Sequence, residues 1–82
     1  MVVVYRVQGF RFVIYTLDHE PAHVHIIGAG QAKFNLVGRG GEPQVVWSVG
    51  IGRADMRRLV AEVVERRDRF LKEWERIHGR DD

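Results

Sequence analysis

The 82-residue sequence predicts an α+β fold: an antiparallel sheet of four to five strands, two hairpins plus a fifth strand, with one long C-terminal helix packed on one face. Three observations predict it. Residues 2–49 carry short β-branched and aromatic runs separated by glycine-bearing turns, the signature of hairpins. From Arg53 to His78, Met56, Leu59, Val60, Val63, Phe70, Trp74 and Ile77 recur at helical spacing and form one apolar stripe. The length suits a single domain, residues 1–50 giving the sheet and 53–78 the helix, near the size where one core gives only marginal stability.

The elements follow in order. Val2 to Val7 is β-branched and reads as a strand, and Gln8-Gly9 as a two-residue turn whose second residue goes left-handed. In Phe10 to Thr16, alternation sends Phe10, Phe12 and Ile14 inward and leaves Arg11, Val13 and Tyr15 on the other face, because an unpaired arginine is costly to bury. Asp18-His19-Glu20-Pro21 makes a turn. Val24 and Ile26 then point to the core while His23 and His25 stand together on the opposite face. Gly28-Ala29-Gly30 supplies the positive φ angles of a hairpin centred on Ala29, which pairs His25 with Lys33 and His23 with Asn35. Val37 to Pro43 reads as a loop, and Gln44 to Val49 as a fifth strand with Val45, Trp47 and Val49 on one face.

Gly52 stands where the helix needs its cap, and Asp55 lies in the first turn. Arg67 interrupts the stripe, and Glu62–Arg66, Glu65–Arg69 and Asp68–Lys72 are favourable i,i+4 pairs on the wet side. A helix of some 25 residues spans about 38 Å and a six-residue strand about 20 Å, so one small sheet leaves part of the stripe uncovered. The half carrying Phe70, Leu71, Trp74 and Ile77 is therefore expected to meet a small cognate partner protein or a symmetric copy.

Composition excludes several classes. No cysteine means no disulfide and no thiolate metal site, so nothing points to secretion. The longest apolar run, Met1 to Tyr5, is far short of a membrane span, and a cytoplasmic protein is the expectation. A net charge of +2 is no nucleic-acid signature, so any basic patch must come from folding.

Three of the four histidines fall between His19 and His25, and the polar face they share with Lys33 is the candidate site. Gly9-Phe10-Arg11-Phe12, Asp18-His19-Glu20-Pro21-Ala22-His23-Val24-His25 and Ala32-Lys33-Phe34, followed by a long charged helix, resemble the bacterial domain of unknown function 4160 family. The resemblance implies a small α+β domain encoded beside another small protein, in arrangements that look like toxin–antitoxin pairs. It brings no established activity. Pro21-Ala22 stands where the family usually has Pro-Pro, Asn35 where an aromatic is common, and Gly52 where a serine typically caps the helix.

Three chemistries fit these residues. In the first, a ribonuclease-like toxin acts without a metal: His23 and His25 as base and acid, Lys33 and Arg11 holding phosphate, Tyr15 stacking on a base or donating a proton. No cofactor is needed there. In the second, His23 and His25 hold a divalent metal such as Zn or Fe with Asp18 or His19, although Lys33 opposite His25 opposes a cation. In the third, the face is a non-enzymatic surface that a partner protein covers.

Overall fold

Short connections leave no room for crossovers, so neighbouring strands pair in sequence order. The computed structural model, which describes residues 1–79, has strands β1 (Val2–Val7), β2 (Phe10–Ile14), β3 (His23–Ile27), β4 (Gln31–Asn35) and β5 (Gln44–Val49) in one antiparallel meander. Helix α1 (Arg53–Ile77) packs on one face, giving the expected α+β fold. No helix among the described residues is long and apolar enough to cross a membrane.

At the first hairpin Gln8 and Gly9 both have positive φ, the two-residue turn expected there. The second hairpin has the expected register, His23 opposite Asn35 and His25 opposite Lys33. Its glycines serve a different purpose, however: neither Gly28 nor Gly30 has positive φ. A Cβ at Gly28 would lie 2.5 Å from the Phe10 ring, and one at Gly30 would lie 2.5 Å from the Gly50 backbone. These glycines let neighbouring chain segments touch.

β5 departs from the expected pattern. Its ladder with β4 slips between Lys33 and Phe34, so Val45 pairs with Phe34 while Trp47 pairs with Lys33. Val45 therefore lies on the helix side and Trp47 on the far side, because a bulge reverses the alternation of everything beyond it.

Phe12, Ile14, Val24, Ile26, Phe34 and Leu36 from the sheet meet Leu59, Val63, Phe70 and Trp74 from α1 in one core. Val60, expected in the stripe, is exposed. Arg67, which breaks the stripe, donates to the Gly41 carbonyl and ties the β4–β5 loop to the helix. Glu62–Arg66 forms at 2.6 Å, and Glu62 also accepts from the Tyr5 hydroxyl at 3.1 Å. Gly52 caps the helix without a side-chain bond.

At the helix end, the residues expected to meet a partner pack against their own chain. Phe70 is 0% exposed and Trp74 5%, and Leu71 and Ile77 pack against the same core. Phe70 and Trp74 are covered by their own chain, and Leu71 and Ile77 partly so. The helix does outrun the strands, but the β2–β3 connection supplies the missing cover: Trp74 Nε1 donates to Glu20 at 3.2 Å, and His78 Nε2 meets the Tyr15 carbonyl at 3.1 Å. Phe70→Ala should accordingly cost about 3–5 kcal/mol, the usual penalty for emptying a buried aromatic site. Urea unfolding checks this, and a change in oligomeric state at unchanged stability would contradict it.

Candidate metal centre

The β2–β3 connection is short, so its polar groups have to be satisfied locally. Asp18 does this: its N–H donates to the Tyr15 carbonyl at 3.1 Å, and its Oδ2 accepts from the Tyr15 N–H at 3.1 Å. The Glu20–Pro21 peptide is cis. The Leu36 N–H then donates to the Ala22 carbonyl at 3.0 Å and delivers the chain into β3.

That closure places Asp18 beside both strand histidines. Its Oδ2 lies 3.1 Å from His23 Nε2 and 3.8 Å from His25 Nε2. The two imidazoles stand 5.1 Å apart, centroid to centroid, on one side of the strand. Together the three residues offer one ligand atom each within 4.8 Å of one another. Metal–ligand bonds of about 2.0–2.2 Å separate neighbouring ligand atoms by about 2.8–3.6 Å, depending on geometry, so small side-chain movements suffice to close on an ion.

The two rings differ. His23 is 4% exposed and packs against Trp74, with ring centroids 5.0 Å apart. Its Nδ1 donates to the Pro21 carbonyl at 2.8 Å, so Nε2 is the atom aimed at Asp18. Both partners of this ring are acceptors; it satisfies them either with a proton on each nitrogen or with a cation between Nε2 and the carboxylate. A histidine whose second nitrogen is held by a carbonyl is the usual arrangement around a bound metal. His25 is partly exposed, set edge-on against Tyr15 at 4.9 Å and near Trp47 at 6.4 Å.

Burial lowers the His25 pKa below its ordinary value. Among the charges, Asp18 opposes that shift, and His23 and Lys33 reinforce it more weakly.

The remaining expected site residues divide. Tyr15 and Lys33 are at the cluster, Lys33 directly across from His25. Arg11 is one row away, paired with Ile27 on one side and Arg6 on the other. His19 is exposed in the turn and outside the group. Sequence reasoning missed Trp74, His78 and Trp47 as neighbours of the site. Trp47 follows from carrying the register one hairpin further. Trp74 follows from asking which segment covers the helix end.

Neither a curated protein nor a solved structure matches the chain. The family model described as Domain of unknown function (DUF4160) matches residues 9–75, which includes Asp18, His23, His25 and Lys33. Because His25 is held neutral by burial, metal-free protein should lose stability as pH falls from about 6.5 through the lowered folded pKa, where the unfolded chain takes up the proton first. Thermal midpoints measured with chelator from neutral to mildly acidic pH should show this loss, and His25→Gln should flatten it. A slope unchanged in that variant would contradict the assignment. On this match, the chain belongs to the DUF4160 family.

Proposed function

We propose that this protein binds one divalent metal ion through Asp18, His23 and His25, at the end of the sheet where β3 begins and His23 meets Trp74 of the helix. The observation that carries the reading is the convergence of the Asp18 carboxylate with both imidazole Nε2 atoms, while His23 Nδ1 is held by the Pro21 carbonyl. Two nitrogens and one carboxylate oxygen without thiolate suit Zn or Fe(II), and three protein ligands leave positions for water or substrate. A metal so held supplies a polarising charge and an acidified water, the means of hydrolytic chemistry. Lys33, one strand away from His25, stands where it can neutralise an anionic substrate group.

A second reading is favoured by one observation, the lowered pKa of His25 beside Lys33 and Tyr15. On that reading the protein is the toxin-like member of a two-protein system and acts on RNA without a metal. His25 is then the base, since His23 is too deeply buried to reach a substrate.

Elemental analysis of protein purified without an affinity tag separates the two. The metal reading expects one equivalent of a transition metal, and loss of affinity by at least the 10–100-fold that disturbing even an outer partner costs, roughly, in Asp18→Asn and His25→Ala. Asp18→Asn keeps an oxygen that can accept from the Tyr15 N–H, so folding is retained. Protein that holds no metal, yet arrests growth and degrades RNA only with His25 intact, would establish the second reading instead.

A further inference from the structure

The five strands carry three cations, Arg6, Arg11 and Lys33, and no acid. All three lie on the face away from α1: Arg6 between the helix-facing Tyr5 and Val7, Arg11 opposite it, and Lys33 opposite His25. The chain's near balance of charge therefore hides a separation, with acids concentrated on the helix and in the loops.

Arg6 and Arg11 are directly paired across β1 and β2. Side chains so paired start about 4.5–5.5 Å apart at Cβ, and like charges there destabilise a ladder. Neither guanidinium has a hydrogen bond or ion pair among the described residues, and Arg11 Nε is buried with no partner. A buried donor left unpaired is costly, so the arrangement is unfavourable as it stands. The first hairpin next to them encloses a depression of about 290 Å³ lined by Arg6, Val7, Gln8, Gly9, Phe10 and Arg11. One ligand chemistry relieves all of this: an oxyanion that accepts from two guanidinium forks and neutralises their repulsion.

We infer that Arg6 and Arg11 form a phosphate-binding subsite, separate from the Asp18–His23–His25 group and on the same face of the sheet. The phosphate is either a free or terminal group or a phosphodiester of a nucleic-acid strand laid across the face. A carboxylate ligand is less suited, because two guanidiniums present more donors than one carboxylate accepts.

The test is calorimetric titration of chelator-treated protein with inorganic phosphate, against sodium chloride at matched ionic strength. Wild-type protein should bind phosphate at one site, and Arg6→Gln and Arg11→Gln should each weaken it about tenfold or more, the effect of losing a charged hydrogen-bond donor. Arg57→Gln, an exposed helix cation, should bind as wild type does, and the chelator treatment keeps this result independent of the metal reading. Arg6 is exposed, so Arg6→Gln reports even if Arg11→Gln disturbs folding. A short single-stranded RNA lacking terminal phosphate is the second arm: displacement of phosphate by it identifies a phosphodiester, and failure to displace identifies a free or terminal phosphate. Absence of phosphate binding, or binding unchanged in Arg6→Gln, overturns the inference.

Discussion

The helix is longer than anything the strands can cover, and most of the functional geometry is a consequence of that mismatch. Twenty-five helical residues reach about 38 Å, roughly twice the length of a six-residue strand. The strands receive Phe70 through Tyr5 and Phe12, but an apolar helix end left in water beyond it is unfavourable, so Trp74 has to be buried by something else. The connection between β2 and β3 does it, from Tyr15, which meets His78, through Glu20, which accepts from Trp74, to His23, which stacks on the indole. The covering segment is also the one carrying Asp18. Packing of the helix end and placement of the carboxylate are thus one event. A shorter helix would leave this connection with no apolar surface to hold it.

Asp18 is the electrostatic centre of what results. Its carboxylate holds the turn through the Tyr15 N–H, approaches both imidazoles, and is the largest favourable charge at His25. The two histidines are then unequal by position. His23, at the start of β3, lies under the helix end and is fixed at both nitrogens; His25, two residues on, keeps a path to solvent between Tyr15 and Trp47. One ring anchors and the other is accessible, which is the division of labour a site with an open side requires.

Much of this was legible in the sequence because period-two alternation is unforgiving. Once Val24 and Ile26 are assigned to the core, His23 and His25 have only one face left, and the symmetric Gly28-Ala29-Gly30 turn sets Lys33 opposite His25. The unread features involve contacts that local pattern does not encode. The bulge in β5 has no residue signature in Gln44–Val49, yet it moves Val45 to the helix side. Gly28 and Gly30 looked like conformational glycines, but each leaves room for a segment distant in sequence, Phe10 in one case and Gly50 in the other. The cover over Trp74 comes from the β2–β3 connection, which a comparison of strand and helix lengths leaves out. His78 joins α1 to Tyr15, just past the end of β2.

The far face of the sheet also explains how a chain of nearly even charge can present a one-signed surface. Alternation sends the charged strand residues to the side away from the helix, and all of them are basic. Acids on α1 pair along the helix, as Glu62 does with Arg66, or with sheet groups reached from that side, as with Tyr5. They are screened from the far face by the sheet itself. Asp18 enters from the connection at the end of the sheet, and there it meets the histidines. A positive surface with a single carboxylate at one corner is suited to holding a cation at that corner and anions elsewhere. Net charge conceals this arrangement because it sums over elements that the fold keeps on opposite sides.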